Sequence, residues 1–195
     1  MLRRHLPDLE HYLNIAEDAG LAIRRASWQE LDPEIITAFS ALITSEQQTN
    51  MMLMPRSAQL LSVYHMGGRK YADYMTSEPN SSVCIQMDQG GALTPARIQH
   101  IFNHRRRLLE AHGGGKVEEV FMAIRLYVPT TEEDPFRRCR GFGAACFSRD
   151  VDVSIRVIRA SQVQCHAIIR PWDESTLVIR PLNRVDPFIT AGLEP

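Results

Sequence analysis

The sequence predicts an α+β fold, in which a helix-rich first half precedes a strand-rich, mostly antiparallel second half. In the first half, apolar residues recur at helical spacing, as at Ile35, Phe39 and Ile43. After residue 116, short apolar runs alternate with turn-rich segments, a pattern typical of strands. With 195 residues, the chain is long enough to bury a real hydrophobic core within one domain.

Proline, acidic residues and glycine mark the predicted helices of the first half. Residues 7–20 predict a first helix that Gly20 ends, and Asp32 caps a second helix that begins at Pro33. A long third helix is predicted over residues 94–111, with threonine and proline at its start and a glycine run after it. Four short apolar runs predict strands between these helices: residues 21–23, 51–54, 60–66 and 83–87.

Five apolar runs in the second half predict strands at residues 117–128, 141–148, 151–158, 163–170 and 177–182. The change of character near residue 115 divides the chain into a helix-rich region, residues 1–112, and a strand-rich region, residues 117–195. We expect both regions to pack into one domain, because neither is bounded by a low-complexity linker.

Composition narrows the functional classes. Apolar residues make up 44% of the chain and charged residues 23%, and the formal net charge is −1, which argues against a dedicated nucleic-acid scaffold but permits a local basic patch. No apolar run is long enough to predict a signal peptide or a membrane span, so we expect a cytoplasmic protein without membrane insertion. The four cysteines form no Cys-x-x-Cys pair and are expected to be small buried hydrophobes in a reducing compartment.

The most informative motif is a glycine pair that follows the apolar run at residues 60–66. Gly67 and Gly68 lead into Arg69 and Lys70, which are predicted to lie in the first turn of a helix. A strand, a glycine pair and a helix N-terminus together direct backbone N–H groups at an anion, and the two basic side chains add charge. The alternative is a tight turn that needs glycine, followed by basic residues that face solvent.

The order of elements around this motif resembles the ParB/sulfiredoxin superfamily. The run from Tyr64 to Tyr74 is similar to the sulfiredoxin run Gly-Gly-Cys-His-Arg and to the Gly-Glu-Arg-Arg box of the partition proteins. The resemblance extends over roughly residues 20–90. Two departures matter: no cysteine follows the glycines, so sulfinic-acid reduction is not implied, and Lys70 replaces the second arginine of the partition box.

With these departures, the chain resembles the divergent members of the superfamily that are carried on mobile elements, including plasmid fertility-inhibition (oncogenicity-suppression) proteins. That resemblance implies a protein that binds and hydrolyses ATP or another nucleoside triphosphate with Mg²⁺, acts on DNA and blocks DNA transfer by a competing element, with a component of the transfer machinery as a further possible partner. Gly67, Gly68, Arg69 and Lys70 would hold the phosphates. Arg69 would also be catalytic, together with two carboxylates, Glu46 and Asp88.

Two basic segments are candidate nucleic-acid contacts. Their arginines are Arg105, Arg106, Arg137, Arg138 and Arg140. The alternatives assign no function to these arginines. Arg105 and Arg106 would lie on a solvated helix flank, and the arginines of the second segment would pair with the acidic residues 132–134. Two further functions therefore stay open beside the nucleotide hydrolase: a non-enzymatic inhibitor or adaptor that binds a protein partner, and an arginine-based nucleic-acid-binding module.

Overall fold

A computed structural model describes residues 28–45, 54–87, 92–110, 114–130, 134–138 and 143–182. Of the described residues, 56% are strand and 18% helical. The strands are β1 (Trp28–Glu30), β2 (Ser57–Leu61), β3 (Val63–Met66), β4 (Arg69–Ala72), β5 (Ser82–Ile85), β6 (Thr94–Arg107), β7 (Lys116–Pro129), β8 (Ala145–Val151), β9 (Arg156–Arg159), β10 (Val163–Pro171) and β11 (Thr176–Pro181). The α-helices are α1 (Pro33–Ser45) and α2 (Glu78–Ser81), and 3-10 turns cover Pro135–Arg138 and Ala160–Gln162.

Six of these strands close into a ring in which every neighbouring pair is antiparallel. Its order is β5–β6–β7–β8–β11–β10, and β10 returns to β5. The closing pair places Cys165 opposite Cys84 and His166 opposite Val83. The ring joins strands from both regions that the sequence distinguishes, since β5 and β6 precede residue 112 and the other four strands follow it.

The long β6–β7 hairpin continues beyond the ring as an open sheet. There β2 pairs with the far part of β6 and β9 pairs with β7. Helix α1 packs on this extension: the ring of Phe39 lies 5.6 Å from that of Phe102 and 4.8 Å from that of Phe121, measured between centroids. The extension thus has its own aromatic core, separate from the interior of the six-stranded ring.

The inside of the ring is filled by a cluster that includes Cys84, Tyr127, Cys165 and Ile179. Phe147 of β8 also packs against this cluster. Because β5 and β8 lie on opposite sides of the ring, a cluster that contacts both of them must lie within it. The interior is therefore closely filled by side chains, as in other small barrels. A cleft lies at the edge of this filled interior.

Helix α1 confirms the prediction made for residues 33–45. The Asp32 carboxylate accepts a hydrogen bond from the Glu34 amide at 2.9 Å, which satisfies one of the free N–H groups at the helix start. Ile35, Phe39 and Ile43 are buried on one face, at the helical spacing that the sequence shows. Strands predicted in the second half are also confirmed at β7, β10 and β11.

The predicted α+β fold class is wrong, because the described residues are mostly one antiparallel sheet. The segment predicted as a long helix, residues 94–111, forms strand β6 over Thr94–Arg107. Two polar residues of this segment are buried, since His104 is fully buried and Arg106 is 2% exposed. Residues that the predicted helix would expose to solvent therefore belong to the core. The resemblance implied a mixed sheet with helices in the first half. That fold is also wrong, whereas the family assignment itself stays a prediction.

The second correction concerns the motif at residues 60–70. Residues 60–66 are not one strand, since β2 ends at Leu61 and β3 begins at Val63. Residues after Gly68 form β4, not a helix, and pair with β3 so that Met66 faces Arg69. The predicted helix at residues 7–20, the strand at 21–23 and most of the strand at 51–54 lie outside the described residues.

Candidate functional site

Gly67 and Gly68 form the two-residue turn of the β3–β4 hairpin. Their φ angles are +58° and +70°, the left-handed conformation that a two-residue hairpin turn of this kind requires at both positions. A Cβ at either position would contact nothing within 4 Å, so backbone conformation, not crowding, selects glycine. The helix N-terminus on which the phosphate-binding prediction depended is replaced by a strand. A role for these residues in holding nucleotide stays a prediction.

Arg69 points across to β10. Its Nη1 donates a hydrogen bond to the Gln164 carbonyl at 2.7 Å, and its positive charge lies close enough to lower the pKa of both Cys165 and His166. Arg69 thus ties the β3–β4 hairpin to the ring. Lys70 lies opposite His65 on the same hairpin.

The arginines predicted to contact nucleic acid are engaged in different ways. Arg105 pairs with Glu118 at 2.7 Å on the surface, and Arg106 is buried and pairs with Glu119, also at 2.7 Å. Glu119 additionally pairs with Arg159. These contacts make Arg106 part of the core. Its burial leaves no route for a phosphate to reach it.

The remaining predicted site residues lie in a short turn or outside the described residues. Arg137 and Arg138 belong to the 3-10 turn Pro135–Arg138, and Arg138 is exposed. Phe136 of this turn packs edge-on against Trp172, with 5.5 Å between ring centroids. Glu46, Asp88 and Arg140 lie outside the described residues.

A cleft lies at the β10 side of the ring and has a volume of about 860 Å³. Its polar lining comes from five strands, β5, β6, β7, β8 and β10, and from the segment around α2. The charged and aromatic members are Tyr74, Glu78, Arg97, Tyr127, Arg149, His166 and Arg170. Ala167, Ile169 and Leu177 add apolar wall, and these three also contact the interior cluster. The cleft therefore lies where the filled interior of the ring ends.

The geometry of Arg97 is set from two sides. It lies on β6 opposite Ser82, and its guanidinium stacks over the Tyr74 ring at 4.2 Å from the centroid. The Tyr74 amide donates to the Ile98 carbonyl at 3.0 Å, which fixes the aromatic ring beside β6. The Nε atom of Arg97 is buried and has no hydrogen-bond partner among the described residues. A buried donor without a partner is costly, and a bound acceptor would relieve that cost.

The charge of the cleft is positive. Among the residues that the structure describes, three arginines line it against the single carboxylate of Glu78. Burial, assisted by the charge of Arg69, lowers the pKa of His166, so its imidazole is neutral at neutral pH. Burial also raises the pKa of Tyr127, whose phenol stays protonated. The cleft thus offers fixed positive charge, neutral hydrogen-bonding groups and aromatic surface.

Sequence reasoning did not bring these residues together. Arg97 belongs to the helix predicted over residues 94–111, Arg149 falls between two predicted strands, and Arg170 ends the strand predicted over residues 163–170. In the structure they lie on β6, β8 and β10, alternate strands of the ring, which surround one cleft only after the ring closes. The signal available in the sequence was arginine near the ends of several strands. That signal is weak, because surface strands commonly carry arginine.

Metal ligation has no obvious location among the described residues, where no group of three His, Cys, Asp or Glu side chains is close enough to hold an ion. The Mg²⁺ expected from the resemblance stays a prediction. Neither described α-helix is long and apolar enough to cross a membrane.

Comparisons with protein-family models, curated proteins and solved structures find no match to this chain.

Proposed function

We propose that this protein binds a nucleotide-class phosphate ligand in the cleft beside β10. The observation that carries the proposal is the convergence of Arg97, Arg149 and Arg170, from three different strands, on one cavity. Arginine is well suited to phosphate because its planar guanidinium can donate two parallel hydrogen bonds to one anion.

Size and lining support a nucleotide over a bare inorganic anion. A volume of about 860 Å³ is within the range of pockets that enclose drug-sized ligands, whereas a single phosphate would fill little of it. Tyr74 and the apolar wall at Ala167, Ile169 and Leu177 offer surface for a base or sugar. Ser82 and Asn80 add neutral donors and acceptors at the same cavity.

The test is a binding titration of the full chain with ATP, AMP, adenosine and inorganic phosphate at one ionic strength. Both nucleotides should bind saturably, and adenosine should bind at least tenfold more weakly because it lacks the charge that the arginines recognise. Each charge-assisted hydrogen bond contributes about 1.5–3 kcal/mol, so loss of one should weaken binding about 10- to 150-fold.

Arg170→Met is the preferred variant, because Arg170 is exposed and its replacement disturbs little packing. Arg97→Met should weaken nucleotide binding as well, and its folding is checked by thermal denaturation. Arg156→Met is the matched control, an exposed arginine on β9 that does not line the cleft. Equal losses in the Arg170 and Arg156 variants, or no saturable nucleotide binding by the unaltered protein, would contradict the proposal.

Nucleotide hydrolysis, action on DNA and inhibition of DNA transfer stay predictions from the resemblance. They are tested by assays of ATP hydrolysis and DNA nicking with the unaltered protein and with Arg69→Ala. The arginine-based nucleic-acid module is less well supported, because Arg105 and Arg106 are held in ion pairs with neighbouring glutamates. Binding to a protein partner, as an inhibitor or adaptor, stays an alternative that capture of a stable partner by the Arg69→Ala variant would support.

A further inference from the structure

Two of the cysteines face each other inside the ring. Cys84 on β5 and Cys165 on β10 are opposite residues of the strand pair that closes the ring. Both are reduced and almost fully buried, with 1% and 0% of their surface exposed. Their side chains are close enough for each thiol to shift the pKa of the other through a side-chain hydrogen bond. No local pattern indicates this pair, because 81 positions separate the two cysteines.

The backbone spacing suits a covalent link. Opposite residues of antiparallel strands have Cα atoms about 4.5 or 5.5 Å apart, depending on the type of pair. Disulfides occur at Cα separations of about 4.4–6.8 Å, which includes both values. A register shift between Val163 and Cys165 interrupts the regular ladder next to the pair, and this irregularity leaves β10 some freedom to adjust.

A cavity lets a small oxidant approach the cysteine pair from the side of Cys84. Cys84 lines a second cavity, of about 220 Å³, at another part of the ring. Its other walls are largely apolar and include Leu93, Phe147 and Ile179, which also contact the interior cluster. A hydroperoxide is small enough to enter such a cavity, whereas a bulky thiol reagent or a folded partner protein is not.

The environment also favours a reactive sulfur. The hydrogen bond from the Cys84 thiol, with help from the Leu182 amide and the charge of Arg69, lowers the pKa of Cys165 to about 7. The same contact, together with burial, raises the pKa of Cys84. Cys165 is therefore the more acidic of the two thiols and Cys84 the less acidic, and a more acidic thiol is the more readily oxidised one.

We propose that Cys84 and Cys165 form a reversible intramolecular disulfide when the protein meets a hydroperoxide. One sulfur of the pair, as a thiolate, attacks the peroxide, the O–O bond breaks, an S–O bond forms, and water leaves after protonation. The other sulfur then attacks the sulfenic sulfur, the S–O bond breaks, the S–S bond forms and a second water leaves. In total, two thiols and one hydrogen peroxide give one disulfide and two waters, and the two electrons lost by sulfur reduce the peroxide.

The experiment uses the full, reduced chain, treated with hydrogen peroxide and then denatured and alkylated. The expected result is a chain that takes up two alkyl groups instead of four, and a non-reduced peptide that joins Cys84 to Cys165 and disappears with dithiothreitol. Retention of all four alkylatable thiols at peroxide doses that oxidise free cysteine overturns the proposal. So does a link that instead involves Cys139 or Cys146.

Two variants sharpen the result. Cys146→Ser removes another buried cysteine of the ring and should leave the linked peptide at its original yield. Cys84→Ala should abolish the link, because no second sulfur then lies opposite Cys165. An undiminished yield of disulfide in the Cys84→Ala variant contradicts the proposal. The nucleotide titration is independent of this chemistry, so failure of one proposal is distinguishable from failure of the other.

Discussion

Glu118 and Glu119 are adjacent on β7, but they hold arginines of very different burial. Glu119 pairs with Arg106, whose side chain is 1% exposed, whereas Glu118 pairs with Arg105, whose side chain is 57% exposed. Glu119→Gln leaves the Arg106 guanidinium charged and buried without its carboxylate. Removing one partner of a buried pair costs roughly 3–5 kcal/mol. Because Glu119 is itself 30% exposed, water offsets part of the loss, and we expect about 3 kcal/mol.

The assay is urea or thermal unfolding of the two single variants beside the unaltered protein. For a domain of this size, 1 kcal/mol lowers the midpoint temperature by about 2–4 °C, so Glu119→Gln should lower it by about 6–12 °C. Glu118→Gln breaks an exposed pair worth about 0–1 kcal/mol, and its midpoint should fall by less than about 4 °C. Similar losses in the two variants, or a stable Glu119→Gln protein, would show that Arg106 is not held as the structure indicates.

Two further predictions concern the hairpin turn and the pH dependence of stability. Gly67→Ala places a Cβ at φ +58° and should cost about 1 kcal/mol, whereas Gly67→Asn should cost clearly less, because asparagine tolerates this conformation; equal urea midpoints for the two variants would contradict this reasoning. Burial lowers the pKa of His104 below its ordinary 6.5, so the unfolded chain binds the proton more readily and the free energy of unfolding falls as pH drops through 6.5. His104→Gln should flatten the loss of stability between neutral and acidic pH, leaving the contribution of His166, which has the same sign; an unchanged slope would refute it.

The sequence was sufficient for elements whose patterns are local. Helix α1 has a cap at Asp32 and a buried stripe at helical spacing, and both are visible without knowledge of the fold. Strands such as β10 and β11 were also recognisable, because β-branched and apolar residues cluster between turns. The Gly67–Gly68 pair was misread. Two glycines between apolar runs are also a strong hairpin signal, and the basic residues that follow favoured a helix start instead.

The rest depends on long-range contacts that no local pattern records. The segment of β6 is predicted as a helix because threonine and proline begin it and a glycine run follows it, and no local pattern shows that His104 and Arg106 are buried. The cleft is built from strands distant in sequence, and only ring closure places Arg97 near Arg170. The Cys84–Cys165 pair has the same origin, so the sequence could predict its burial but not its partner.

Closure of the ring has a consequence for synthesis from the N-terminus. Strand β5 cannot complete its pairing until β10, which begins at Val163, has been synthesised. Strand β8 likewise needs β11, which begins at Thr176. A nascent chain that has emerged only as far as β9 therefore carries two unpaired ladders, and such open edges recruit other strands. We expect that a ribosome-bound chain that has emerged as far as about residue 160 aggregates or engages chaperones. We expect this state to end when the β10–β11 hairpin emerges.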